Sequence, residues 1–160
     1  MGSAIRKVRI DECLFLAVFG GEFDSQDIYP QSVQLDLETG ELLWVYDEDQ
    51  DAEMMTGIPP EENAAVRRRV DACPERYLEV PEPDHGEHHE ILREFLYSDW
   101  TDDADVRRRA QRAYSGSIGK WKRAVNDEAV VHAYHDFCER AIKDRAEEFL
   151  REHGVEAQWT

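Results

Sequence analysis

A chain of 160 residues in which 41% of the side chains are hydrophobic is long enough to form one domain with a buried core. Its apolar runs are far shorter than the roughly 20 residues of a membrane-spanning helix, and no secretion signal is evident. The cysteines, Cys13, Cys73 and Cys138, are odd in number and lack C-x-x-C spacing, which predicts reduced thiols in the cytoplasm.

The net charge of -17 is distributed unevenly along the chain. Residues Ile10–Val66 contain 15 acidic side chains and no lysine or arginine, whereas residues Arg67–Thr160 contain 21 acidic and 16 basic side chains. The first stretch would repel nucleic acid and attract a basic partner, or would imitate a phosphate backbone. A purely solubilising role for these acids is the alternative interpretation.

The first predicted elements are a short helix and a β-hairpin. Asp11 is a typical N-cap before apolar residues that run through Phe19, and Gly20 and Gly21 end this helix, although a strand would also fit the continuous apolar run. VQLDL then alternates apolar and polar residues as a half-buried strand does, and LLWVY returns antiparallel to it. The turn between them, ETGE, places Gly40 where the backbone needs a positive φ.

The stretch Asp47–Cys73 is predicted to be an acidic loop followed by a helix. Pro59 and Pro60 open this helix in EENAAVRRRVDAC, whose acidic start and basic end suit the helix dipole, and Pro74 ends it. RYLEVPEP then resumes the alternation of a strand, and its prolines predict a position at the edge of the sheet.

Four helices are predicted for the rest of the chain. The first begins at Asp84 as N-cap, the second takes Thr101 or Asp102 as its cap, and SGSIGKWKRAV forms a short third helix. The last runs from about Glu128 to His153 with an apolar stripe along one side, and Gly154 ends it.

This order of elements predicts an α+β fold. We expect a small antiparallel sheet of about three strands in the N-terminal half, packed with a C-terminal set of about four helices. The chain is interpreted as a single domain, 1–160, with an acidic helix and hairpin part at 1–83 and a helical part at 84–156.

Six segments between Val33 and Glu156 form a specific combination: VQLDLETGELLWV, CPERYLEVPEP, ILREFL, GSIGKWKRAV, YHDF and AEEFLREHGVE. Together they resemble the bacterial uncharacterised protein family UPF0158. Tyr134 and Phe149 stand where the family pattern has tryptophan, and both keep an aromatic ring. The resemblance implies a small α+β domain, but that family has no assigned function and therefore supplies no catalytic residue.

The acidic segment after the hairpin contains one candidate metal motif. Asp47, Asp49 and Asp51 have the one-three-five spacing of an EF-hand calcium loop, but Ala52 and Ile58 occupy the positions that require glycine and glutamate. We therefore predict no metal or other cofactor here and assign the acids of this region to partner binding. The predicted partner-binding set is Asp36, Glu38, Glu41, Asp47, Glu48, Asp49 and Asp51.

Four histidines form the only candidate metal-dependent active site. His85 and His88, and likewise His132 and His135, have the three-residue spacing that places two imidazoles on one helix face. If the two helices pack together, these side chains could surround a metal. The spacing matches neither H-E-x-x-H nor H-x-x-E-H, and exposed histidines on helices are the commoner outcome, so no catalytic residue is assigned.

The segment Arg107–Arg123 is the only concentrated positive charge after the N-terminal arm. Arginines and lysines interleaved with Tyr114 and Trp121 suit a nucleic-acid backbone and exposed bases. Neutralisation by the acidic part, within the fold or across an oligomer, is the favoured interpretation, and Trp121 is predicted to lie in the core. The basic residues are Arg107, Arg108, Arg109, Arg112, Lys120, Lys122 and Arg123.

These observations favour a non-enzymatic cytoplasmic binding or regulatory protein whose acidic hairpin side engages a basic protein partner. A sharper version is a mimic of nucleic acid that occupies a DNA- or RNA-binding protein. A metal-dependent enzyme using the four histidines and a weak nucleic-acid binder using the arginine-rich segment are the competing hypotheses.

Overall fold

A computed structural model describes residues 4–20, 32–46, 58–81 and 85–160. The strands in these ranges are β1 (Arg6–Ile10), β2 (Ser32–Asp36), β3 (Leu42–Val45), β4 (Tyr77–Val80) and β5 (Val155–Trp159). The α-helices are α1 (Glu12–Phe19), α2 (Pro60–Ala72), α3 (His85–Leu96), α4 (Ala104–Ala113), α5 (Ile118–Val125) and α6 (Glu128–Glu152), and a 3-10 turn covers Pro74–Arg76. The predicted α+β fold class is confirmed.

The chain divides into two compact units. The first unit comprises Met1–Glu82 together with Ala146–Thr160, and the second comprises Pro83–Arg145. The boundary near residue 82 coincides with the predicted change from sheet to helices, but the last turns of α6 group with the first unit. The single-domain organisation stays a prediction.

The larger sheet of the first unit is antiparallel, with strand order β3-β2-β4. Its register places Val33 opposite both Trp44 and Val80, so these three apolar side chains share one face. Gly40, in the turn between β2 and β3, has a φ of 77°, and a Cβ atom there would overlap the carbonyl oxygen of Arg9. The predicted hairpin and the edge position of the third strand are confirmed.

A second sheet joins the two ends of the first unit. β1 pairs with β5 in parallel, with Ile10 opposite Trp159. Neither strand is predicted from the sequence, and the predicted helical part, 84–156, is wrong at its end because β5 begins at Val155. Each strand has five residues, and β1 buries only Val8 and Ile10, so neither carries a strong local pattern.

The core of the first unit draws on all five strands, α1 and the end of α6. Its buried residues are Val8, Ile10, Phe15, Val33, Leu35, Leu42, Val80, Ala146, Leu150 and Val155. Helix α1 is confirmed as a helix, with the Asp11 carboxylate accepting the N–H of Leu14 at 2.9 Å. Its apolar run is continuous because Phe15 is fully buried while Leu14 and Leu16 pack partly against the same core.

The second unit contains α3, α4, α5 and most of α6 around an aromatic core. The ring of Phe95 stacks on Trp100 at a centroid distance of 4.8 Å and meets Tyr134 edge-on at 5.7 Å. Trp121 is fully buried, and its Nε1 donates a hydrogen bond to the carbonyl of Ala110 at 2.9 Å, which ties α5 to α4. The predicted core position of Trp121 is confirmed.

Helix starts in the second unit differ in one detail from the prediction. Asp103, rather than Thr101 or Asp102, is the N-cap of α4, because its carboxylate accepts N–H groups of the second and third helical residues at 3.0 and 3.2 Å. Thr101 instead accepts the N–H of Asp103 at 3.2 Å and stabilises the preceding turn. Ser117 caps α5, and Asp84 lies outside the described residues.

Candidate functional site

Asp36, the last residue of β2, organises the acidic hairpin from inside. Its side chain is fully buried, and Arg76 donates to both carboxylate oxygens, from Nε at 2.9 Å and from Nη2 at 2.8 Å. The same carboxylate accepts the backbone N–H of Glu38 at 2.9 Å, which closes the turn. Because it is enclosed and paired, Asp36 is not available to a partner, contrary to its place in the predicted set.

The arginines around Asp36 fix its charge. Hydrogen bonding by Arg76 lowers the pKa of Asp36 from 3.8 to about 2, and the same pairing raises the pKa of Arg76. Arg69 comes within 3.9 Å of the Asp36 carboxylate, and Arg76 also lies 3.2 Å from Glu38. The one sequence signal for this network is that Arg76 directly precedes β4, whose Tyr77 pairs with Asp36.

The backbone at Tyr46, directly before the acidic segment, is held by α2. The side-chain amide of Asn63, which is only 8% exposed, accepts the N–H of Tyr46 and donates to its carbonyl, both at 3.0 Å. Arg67 donates to the same carbonyl from Nε at 3.2 Å and from Nη2 at 3.0 Å. Asn63 therefore continues the hydrogen bonding of the sheet beyond β3, a role that no sequence spacing indicates.

Several acids of the first unit are exposed and make no ion pair in its described part, among them Glu41, Glu61 and Glu62 near the hairpin. Glu38 is also open to solvent, with 60% of its side chain exposed, although it is partly neutralised by Arg76. The predicted partner-binding residues Asp47, Glu48, Asp49 and Asp51 lie outside the described residues. Near the hairpin, the exposed acids that the structure describes therefore include Glu38 and Glu41 at the turn and Glu61 and Glu62 at the start of α2.

The histidines of the metal hypothesis lie largely at the surface. His132 has 80% of its side chain exposed, with Nε2 3.6 Å from Asp136, and His135 is exposed on the same helix. His88 is half-buried on α3, and the side chain of His85 lies outside the described part. Within the described ranges, no three His, Cys, Asp or Glu side chains are grouped so as to hold a metal ion.

The positive charge of the second unit is concentrated on α4 and α5, which are joined by the four residues 114–117. We call these two helices, residues 104–125, the basic helix pair. The pair carries all seven cations of the predicted basic segment and a single acid, Asp105. No acidic residue occurs between Val106 and Asn126.

Two of these seven cations are paired with acids of the second unit itself. Arg107 lies 3.6 Å from Asp99, and Arg108 lies 2.9 Å from Asp105. Four further cations are exposed and make no ion pair in the described part of this unit: Arg109, Arg112, Lys120 and Arg123. The predicted neutralisation by the acidic N-terminal part stays a prediction, since the pairs seen here are local.

The aromatic side chains of the basic helix pair are engaged by the second unit. Trp121 has no exposed surface, and Tyr114 is half-buried with its hydroxyl 2.8 Å from Nδ1 of His89. The exposed groups of the pair are thus mainly cations, not aromatic rings.

The second unit also contains an open groove of about 640 Å³, which, unlike the basic helix pair, is lined by more acids than bases and by aromatic rings. Trp100 and Phe137 form its apolar lining, and the indole nitrogen of Trp100 is shielded from solvent without a hydrogen-bond acceptor among the described residues. Its charged lining residues are Glu94, Asp99, Asp136, Asp144, Arg140 and Arg145. Aromatic rings beside an excess of carboxylates suit a cationic side chain better than an anion.

Comparisons with known proteins add no relative: no family model, curated protein or solved structure matches this chain. The resemblance to UPF0158 therefore stays a prediction. None of the helices in the described ranges is both long and apolar enough to cross a membrane.

Proposed function

We propose that the chain is a non-enzymatic binding protein of the cytoplasm whose acidic surface engages a basic protein. The first unit, Met1–Glu82 with Ala146–Thr160, carries 23 acidic and 8 basic side chains, against 13 and 11 in the second unit. The three cysteines are free thiols, which suits a reducing compartment. The binding surface comprises Glu38, Glu41, Asp47, Glu48, Asp49 and Asp51, with Asp36 as its internal anchor.

The observation that carries this proposal is the direction of the arginines beside the hairpin. Arg76 and Arg69 are directed to the buried Asp36, and Arg67 donates to the carbonyl of Tyr46. These cations stabilise the hairpin from within, and Glu41 stays exposed without a counter-ion in the described part of the unit. Acids beside an internally paired hairpin supply the field that attracts a basic partner.

The test is affinity purification from the source lysate, followed by titration of each purified partner. The variant replaces Asp47, Glu48, Asp49 and Asp51 by Asn or Gln. A matched control replaces four exposed acids elsewhere, Asp102, Glu128, Glu139 and Glu148, and so changes the net charge equally. We expect the first variant to bind a basic partner at least tenfold more weakly, and the control to stay within about twofold.

Equal losses in the two variants would reduce the acids to a general charge effect and overturn the proposal. Capture of the same partners by the native chain and both variants would do so as well. The sharper form, a mimic of nucleic acid, makes one further demand: a DNA duplex must displace the partner in competition. A partner that binds the chain and DNA at the same time would rule out mimicry and leave the basic partner.

A further inference from the structure

Four cations of the basic helix pair make no ion pair in the described part of the second unit, and they are arranged in two couples. Arg109 and Arg112 are three residues apart on α4, and Lys120 and Arg123 are three residues apart on α5. Residues with this spacing lie on the same face of a helix. Each of the two helices therefore presents two exposed positive charges together, with no acid of the same helix between them.

We propose that the basic helix pair is a binding surface for double-stranded nucleic acid, recognised through its phosphates. This site is independent of the acidic surface and lies entirely in the second unit, whose 13 acidic and 11 basic side chains nearly balance. Exposed cations in a stretch free of acids give the local field that a phosphate backbone needs, whatever the charge of the whole chain.

The choice of a duplex follows from the aromatic residues. Single-stranded binding gains much of its energy from bases stacked on exposed rings. In the basic helix pair, however, Trp121 is fully buried and Tyr114 is half-buried and bonded to His89. A surface that offers cations and no free ring reads the backbone rather than the bases, so it favours regularly spaced phosphates and little sequence preference.

The start of α5 adds a second kind of phosphate contact. Ser117 caps this eight-residue helix, and a Cβ atom built at Gly116 or Gly119 would meet no heavy atom within 4 Å beyond its immediate chain surroundings. The backbone here is therefore open to a close approach, and the N-terminus of a helix carries partial positive charge. Lys120 lies in the same first turn and strengthens that field.

Salt limits the repulsion that the acidic first unit exerts on a phosphate backbone. Charge repulsion between exposed groups is largely screened beyond a Debye length, which is about 8 Å at 0.15 M salt. A contact made by four cations should depend steeply on salt, with a slope of about -3 to -4 in a plot of log K against log salt concentration.

The experiment measures fluorescence anisotropy of labelled random-sequence 20-mers as DNA duplex, RNA duplex and single strand, from about 25 to 200 mM salt. The basic-helix variant replaces Arg109, Arg112, Lys120 and Arg123 by Gln in the full chain. The control replaces four exposed arginines elsewhere, Arg68, Arg93, Arg140 and Arg151, and removes the same charge. We expect at least one duplex to bind more tightly than the single strand.

We expect the variant to lose at least tenfold in duplex affinity and most of the salt slope, and the control to stay within about threefold. The two duplex arms then distinguish DNA from RNA. Tighter binding of the single strand, an equal loss in the control, or poly-glutamate bound as tightly as a duplex would overturn the proposal, and so would no binding at 25 mM salt. None of these outcomes bears on the proposal for the acidic surface, because the variant leaves residues 10–66 unchanged.

Discussion

The hairpin of the first unit and the basic helix pair of the second use charge in opposite ways. At the hairpin, Asp36 is enclosed and Arg76 is turned inward to it, so both charges serve the fold. On the basic helix pair, Arg109 and Arg112 are exposed and unpaired within the described part of their unit. A charged side chain can therefore serve either the fold or binding, and a count of charges in the sequence does not separate the two roles. Burial of the side chain decides between them.

The largest expected effect comes from breaking the buried pair. Asp36→Ala leaves Arg76 without its bidentate partner and removes the acceptor that closes the turn. We expect a loss of about 3 kcal/mol or more in the free energy of unfolding, or about 6 to 12 °C in Tm, measured by circular dichroism at pH 7.

The matching control is the double variant Asp36→Ala with Arg76→Met. Removing both charges should recover part of the loss, because the penalty for an unpaired arginine disappears. By contrast, the Gln variant of the four exposed cations should change stability by no more than about 0.5 kcal/mol per site. A small effect of Asp36→Ala, comparable to those surface changes, would remove the distinction between the two regions.

Two glycines with positive φ show the same difference between the units at the level of the backbone. Gly40 and Gly116 both have positive φ, 77° and 94°, but only a Cβ atom at Gly40 would overlap a neighbouring strand, at the carbonyl oxygen of Arg9. Gly116→Ala should cost about 1 kcal/mol from conformation alone, and Gly40→Ala about 2 to 4 kcal/mol because overlap is added. Urea titrations of the two variants measure the difference, and equal costs would mean that the turn does not need its close approach to β1.

The sequence predicted most of this fold because its local signals agreed. The hairpin alternation, the turn glycine and the capped helices were each readable from adjacent residues, whereas the β1–β5 pair joins opposite ends of the chain and is not. The candidate site was less predictable for the same reason. Asp36 and Glu41 count equally as acids in the sequence. Only Asp36 is buried, where it pairs with Arg76, which is distant along the chain.

Acid titration separates the buried charge from the exposed ones. The Asp36 carboxyl has a pKa of about 2 in the folded chain against 3.8 ordinarily, so its stabilising contribution is complete above about pH 4. It is lost as the pH falls towards 2. We expect the native chain to lose on the order of 2 kcal/mol more than Asp36→Asn over this range, measured by denaturant unfolding at each pH. Parallel curves would show that Arg76 does not hold the charge of Asp36.

The smallest expected effect concerns a single exposed cation. Arg112 follows Arg108 by four residues and Arg109 by three on α4, spacings at which like charges destabilise a helix by about 0.2 to 0.5 kcal/mol per pair. It also lies in the last turn of α4, where a cation interacts favourably with the helix dipole by about 0.3 to 1 kcal/mol, so the two effects nearly cancel. Arg112→Gln should therefore change the free energy of unfolding by less than about 0.5 kcal/mol while weakening duplex binding and shortening the salt slope by about one. A loss of affinity without a loss of stability is expected of a residue that serves binding. A loss of stability with unchanged affinity would instead place Arg112 with Arg76, among the cations that serve the fold.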